Sequence, residues 1–204
     1  MHIKLLMIMA TVFCLSTTSV SAQTILVMGD SLSAAYNLRM QDGWVALLEE
    51  QLTPKVQDLT IINASISGET TQGGKARLPD LLKKYTPNIV ILELGANDAL
   101  RGYPLNTAKD NLNAMILQTS QIKAKLLLIG NRIPPNYGKR YANQFFGLYQ
   151  ELAEQHTLAY VPFMLQNVAL DDALMQDDGL HPNKEGQRGV LQNIMPILLS
   201  MLSK

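Results

Sequence analysis

The chain alternates between short apolar runs and longer segments whose apolar residues recur every three or four positions. Short runs bounded by turn residues read as buried strands, and the three-to-four spacing reads as one face of a helix. The strand-like runs are Thr24 to Met28, Leu59 to Asn63, Asn88 to Leu94, Lys125 to Ile129 and Leu158 to Val161. The helical stripes are Trp44, Leu47, Leu48 and Leu52; Leu78, Leu81, Leu82 and Tyr85; Ala108, Leu112, Met115, Ile116 and Thr119; Phe145, Leu148, Tyr149 and Leu152; and Val190, Ile194, Ile197, Leu198 and Met201. Asp42 and Asn183 are placed to cap the first and last of these, and Thr107 with Asp110 resembles a capping box. Pro196 is expected to kink or interrupt the last helix.

Strands alternating with helices predict an α/β fold, a parallel sheet covered by helices on both sides. The third strand is nearly all apolar, as a strand buried on both faces should be. No repeat, low-complexity tract or linker divides the chain, so a single domain is expected over residues 23–204.

The N-terminus reads differently. Lys4 supplies a positive region, Leu5 to Leu15 an apolar one, and Val20-Ser21-Ala22 suits a signal-peptidase site. Residues 1–22 are therefore expected to be a signal peptide, with a mature chain starting at Gln23 that is periplasmic or secreted and has no stable membrane anchor. The apolar run is too short to span a bilayer. The single cysteine, Cys14, falls in this leader. The mature chain would then carry no thiol, which excludes cysteine nucleophiles, disulfides and cysteine-ligated zinc.

Charge narrows the field further. Seventeen Lys and Arg balance seventeen Asp and Glu, which argues against a general nucleic-acid binder. Gly68 to Lys75 resembles a phosphate-binding loop only loosely, since Ala76 stands where a hydroxyl should hold magnesium. There is no dinucleotide glycine fingerprint and no Gly-x-Ser-x-Gly elbow. The histidines have no metal-ligand spacing, so no cofactor and no metal are expected.

The candidate chemistry begins at Gly29-Asp30-Ser31-Leu32-Ser33, directly after the first strand. In open α/β sheets the carboxyl edge of the strands is where ligands bind. A serine there is a candidate nucleophile, and it needs a base. Two histidines lie in the mature chain. His156 ends a helix and reads as a complement to the helix dipole. His181, in Asp177-Asp178-Gly179-Leu180-His181-Pro182-Asn183, has no packing reason to be in its loop. Asp178 precedes it by three residues, a spacing from which a carboxylate can reach Nδ1; adjacent Asp177 is the competing choice. Donors for a developing oxyanion are available from Gly68, after the second strand, and from the Asn97 side chain, after the third.

Gly29-Asp30-Ser31-Leu32, Gly68, Gly95-x-Asn97-Asp98 and Asp178-x-x-His181 resemble the four blocks of the SGNH, or GDSL, hydrolases. Asn63 to Gly68, Glu93 to Gly102, Pro134 to Gly138 and Asp177 to Asn183 resemble its periplasmic thioesterase/lysophospholipase/arylesterase group. The resemblance implies a flavodoxin-like, three-layer fold with five parallel strands. It implies that Ser31, Asp178 and His181 form a triad, with the Ser31 amide, Gly68 and Asn97 as the oxyanion hole. It also implies a mobile loop, Ala99 to Pro104, that touches the acyl chain through Leu100 and Tyr103, with Ile133 on the facing wall. The substrate would be a small acyl ester or thioester and the protein a monomer. Glu69, Ala96, Ala99 and Gly130-Asn131 depart from the pattern of this group. A carbohydrate O-deacetylase and a non-catalytic binding module are the rival readings.

Overall fold

The computed structural model describes residues 23–202; the expected leader lies outside the described residues. The sheet has five parallel strands in the order β2-β1-β3-β4-β5: β1 (Gln23–Gly29), β2 (Leu59–Asn63), β3 (Ile89–Glu93), β4 (Lys125–Ile129) and β5 (Ala159–Val161). The helices are α1 (Trp44–Leu52), α2 (Thr71–Tyr85), α3 (Ala96–Leu100), α4 (Leu105–Gln121), α5 (Lys139–His156) and α6 (Lys184–Leu202). The expected α/β fold with a five-stranded parallel sheet is what the chain adopts.

Strand alternation divides the core into two layers. Ile25 and Val27 of β1, Ile89 and Ile91 of β3, and Leu127 and Ile129 of β4 face α1 and α6, meeting Trp44, Leu48, Val190, Ile194 and Leu198. Leu26, Met28, Val90, Leu92, Leu126 and Leu128 face the other way, meeting Leu78, Leu112, Met115, Phe145 and Tyr149 of α2, α4 and α5. The strand order reverses between β1 and β3: the chain goes to one side for β2 and to the other for β3. The crevice at the carboxyl ends of these two strands is the place such a sheet offers a ligand.

Two helix starts differ from expectation. Asp42 does not cap α1. It lies in a 3-10 turn and takes Arg39 at 2.7 Å and Lys184 at 3.3 Å, while the Trp44 amide donates to Gln187 Oε1 of α6 at 2.9 Å. Helix α4 begins at Leu105, after Pro104, so Thr107 and Asp110 lie inside it rather than forming a box. Helix α6 runs unbroken through Pro196. A proline inside a helix costs about 3 kcal/mol, and Ile194 and Leu198 on either side of it are fully buried. Asn183 does cap α6: its Oδ1 accepts from the Gly186 amide at 3.0 Å.

Candidate active site

The turn after β1 carries Ser31 to the β1/β3 crevice. Ser33 and Ala34 amides both close on the Asp30 carbonyl, at 3.2 and 2.9 Å, and Asp30 Oδ1 accepts from the Leu32 amide at 3.0 Å. Ser31 is thus held on a tight, internally bonded turn. The loop before α6 brings His181 against it, 150 residues later in sequence. His181 Nε2 lies 2.8 Å from Ser31 Oγ, and His181 Nδ1 lies 2.6 Å from Asp178 Oδ2. Both are hydrogen-bond distances. Asp178 Oδ1 also accepts from the Leu180 and His181 amides, at 2.9 and 3.0 Å. One carboxylate therefore shapes its own loop and orients the ring. Burial works to raise the Asp178 carboxyl, but the Leu180 amide, the His181 ring and the His181 amide outweigh it and hold the group below its ordinary range. Of the two aspartates the sequence left open, Asp178 is the one on the imidazole.

The two candidate donor loops are fastened to this turn and to each other. Asn97, in the first turn of α3, donates through Nδ2 to Asp30 Oδ2 at 3.0 Å. Gly68 takes a left-handed φ of +79°, a conformation that favours glycine. Its carbonyl accepts from the Arg101 guanidinium at 2.9 Å. Beneath it, Asp98 accepts from the Thr71 amide at 2.8 Å and from Thr71 Oγ1 at 2.6 Å. Asn111 of α4 donates to the same hydroxyl at 3.1 Å. A carboxylate at the first amides of α2 satisfies an orphan donor and complements the helix dipole. It also locks the Gly68 loop to the Asn97 turn.

Under the turn lies a layer that sequence reasoning missed. Glu93, at the end of β3, is fully buried, and Asp30 is 1 % exposed. Glu93 Oε2 accepts from Ser33 Oγ at 2.7 Å and from the Asp30 amide at 3.3 Å, and its Oε1 from Asn131 Nδ2 at 3.3 Å. Gly29 is required beside it, since a Cβ there would stand 2.8 Å from Glu93 Oε2. Burial pushes Asp30 up to about 6, against the pull of the Leu32 amide, the His181 charge and Asn97. Burial and the neighbouring Asp30 charge push Glu93 well above its ordinary range. The one signal of Glu93 in the sequence is a carboxyl at the end of an otherwise apolar run.

The three acyl-wall candidates separate. Ile133 is buried in the α2/α4/α5 layer, and Leu100 packs half-buried against that layer. Tyr103 is 47 % exposed, and its carbonyl accepts from Tyr141 Oη of α5 at 3.0 Å. His156 lies apart from the site, with Nε2 2.6 Å from Asn113 Oδ1. Two surface recesses of about 640 and 630 Å³ flank α5 and include none of the residues around Ser31. Among the described residues no group of His, Cys, Asp and Glu is arranged to hold a metal ion.

A hydroxyl hydrogen-bonded to an imidazole, itself bonded to a carboxylate, is the arrangement that activates serine for acyl transfer. Comparisons with known proteins show the family. Residues 27–188 match the model of the GDSL-like lipase/acylhydrolase family. The chain is 44% identical over 190 residues to an arylesterase of Vibrio mimicus, covering 93% of this chain and 95% of that protein. It is 40% identical over 173 residues to thioesterase 1/protease 1/lysophospholipase L1 of Escherichia coli K12, covering 85% and 82%. Among solved structures, a psychrotrophic esterase, EstA, from Pseudoalteromonas sp., inhibited by monoethylphosphonate, superposes with a TM-score of 0.84 at 40% identity, covering 89% of this chain and all of that one. The chain belongs to the GDSL-like lipase/acylhydrolase family and is an ester-hydrolysing enzyme of that type.

Proposed function

We propose that this enzyme cleaves carboxylic esters and thioesters with Ser31 as nucleophile, His181 as base and acid, and Asp178 as the group that orients the imidazole. The observation that carries this reading is the pair of contacts on one ring, 2.6 Å to Asp178 and 2.8 Å to Ser31. In the first step the Ser31 hydroxyl gives its proton to His181 Nε2 while Oγ bonds to the acyl carbon. The carbonyl oxygen becomes an oxyanion, for which the Ser31 amide, the Gly68 amide and Asn97 Nδ2 are the donors. Asn97 has one Nδ2 hydrogen committed to Asp30, which leaves the second for the substrate. The imidazolium then protonates the leaving alcohol or thiol, and the acyl group stays on Ser31. Water, deprotonated by His181, releases the acid by the same route in reverse.

The character of the candidate wall supports the substrate class. Ile133 is buried in the α2/α4/α5 layer, Leu100 packs half-buried against that layer, and Tyr103 is exposed. Side chains of this kind suit an apolar acyl or aryl group better than a sugar. The relatives' names, arylesterase and thioesterase/lysophospholipase, point the same way. We further infer one hydrolase domain from Gln23 onward, exported behind a cleaved leader and acting as a monomer. No helix among the described residues is long and apolar enough to cross a membrane.

The test is a panel of p-nitrophenyl esters from acetyl to long-chain, run beside acyl-CoA and lysophospholipid, on the wild type and on Ser31→Ala. The expected result is hydrolysis of medium or longer acyl and aryl esters that disappears with Ser31. A sharp preference for acetyl would favour the deacetylase reading. Activity retained in Ser31→Ala would remove the nucleophile assignment.

A further inference from the structure

Tyr36 lies five residues beyond Ser31, on the exposed stretch between β1 and α1, with no role yet in the chemistry. Its ring stands against the His181 imidazole, centroids 4.5 Å apart and planes 36° from parallel. The chain goes to some lengths to keep it there. Ala35 and Asn37, on either side, both take left-handed φ values of +57° and +56°, a conformation that costs an L-residue energy and persists only where the surroundings impose it. The Tyr36 amide donates to the Ser31 carbonyl at 3.3 Å. The Tyr36 carbonyl accepts from Gln176 Nε2 at 3.0 Å, and the same Nε2 donates to the Pro182 carbonyl at 3.1 Å. The Gln176 amide donates to the His181 carbonyl at 2.8 Å. Gln176 thus ties the serine's turn to the histidine's loop, with Tyr36 at the knot.

Tyr36 itself is 40 % exposed. The face of an aromatic ring attracts a cation, and the attraction grows as water is displaced. His181 alternates between neutral and cationic forms if it serves as base and acid. The carboxyl groups that bear on it are Asp178, on its own loop, and Asp30, under the serine's turn. Tyr36 is the aromatic group that stands on it from the serine's side.

We propose that Tyr36 is a positioning residue for His181 whose ring stabilises the imidazolium formed during acyl transfer. The proposal rests on His181 being the base. It predicts a paired signature in Tyr36→Leu, which keeps apolar cover over the imidazole but removes the π face. The acid limb of kcat/KM should move to lower pH by about half a unit, because the cation is less favoured, while the plateau kcat falls roughly threefold. Tyr36→Phe, with its ring intact, should restore both. A purely structural role would lower kcat without moving the limb.

The experiment is the pH profile of hydrolysis of a p-nitrophenyl ester for wild type, Tyr36→Leu, Tyr36→Phe and His181→Ala, with folding checked by circular dichroism. Should Tyr36→Leu lose its fold, Tyr36→Met carries the same reading. An acid limb that stays in place without the ring, or a limb that Tyr36→Phe fails to restore, overturns the proposal. If His181→Ala hydrolyses at the wild-type rate, the assignment of the base has failed. If His181→Ala is inactive and the limb of Tyr36→Leu is unmoved, only the role of Tyr36 has failed.

Discussion

The Asn97 side-chain amide donates to Asp30 Oδ2 across 3.0 Å, and Asp30 is the residue immediately before Ser31. The contact joins the first turn of α3, which follows β3, to the turn after β1, where the strand order reverses. It fixes the amide so that its nitrogen, not its oxygen, faces the serine's turn. A carboxylate can only accept, so the orientation of Asn97 is set by charge as well as by shape.

Exchanging Asp30 for Asn should remove that constraint. The new amide can donate as well as accept, and Asn97 loses its reason to present Nδ2. We expect Asp30→Asn to lower kcat about tenfold, part of the 10²–10³ that loss of an oxyanion donor costs, with KM nearly unchanged. Steady-state kinetics on one p-nitrophenyl ester reads both parameters. A change confined to KM would argue that Asp30 shapes substrate binding instead.

The buried pair Asp30 and Glu93 should leave a mark on stability. Both groups hold their protons more tightly in the folded chain than in the unfolded one, Asp30 up to about 6 and Glu93 well above its ordinary range, each chiefly because it is buried. Between the ordinary carboxyl range and these values the folded state binds more protons than the unfolded state, so stability falls as pH rises through that window. Glu93→Gln cannot ionise and keeps an acceptor for Ser33. It should flatten the slope and raise Tm at pH 8 relative to the wild type. Thermal melts at half-unit intervals from pH 4 to pH 8 check the sign.

Asp98 should matter to fold and rate together. It is 3 % exposed and accepts from both the amide and the hydroxyl of Thr71. Asp98→Ala leaves two donors unsatisfied, one of them at a helix N-terminus, at a cost of about 2–4 kcal/mol. Urea denaturation should show that loss. Because Asp98 locks the Gly68 loop to the Asn97 turn, kcat should also fall under conditions where the variant is fully folded.

What the sequence disclosed and what it hid differ in kind. The strands were legible because short apolar runs bounded by turn residues mark them, and β2 and β4 fall on the expected residues. The meeting of Ser31, Asp178 and His181 was legible because Asp178 and His181 share one short loop and Ser31 follows a strand at the carboxyl edge of the sheet. The Asn183 cap was legible because it acts on its own helix. What was missed depends throughout on partners distant in sequence. Glu93 makes sense only once Ser33 and Asn131 are seen around it, and Asp98 only beside Thr71. Tyr36 shows its purpose only when a loop 140 residues away closes over it through Gln176. The start of α1 was misplaced for the same reason, its first amide being capped by Gln187 of α6.

The central claim is that Ser31 is the nucleophile and His181 the base that activates it. A fluorophosphonate reacts with the activated serine of such a site and leaves a mass tag on it. Peptide mass spectrometry of labelled wild type should find the adduct on Ser31, with labelling abolished in Ser31→Ala and slowed by orders of magnitude in His181→Ala. An adduct on another serine, or undiminished labelling without His181, would contradict the account.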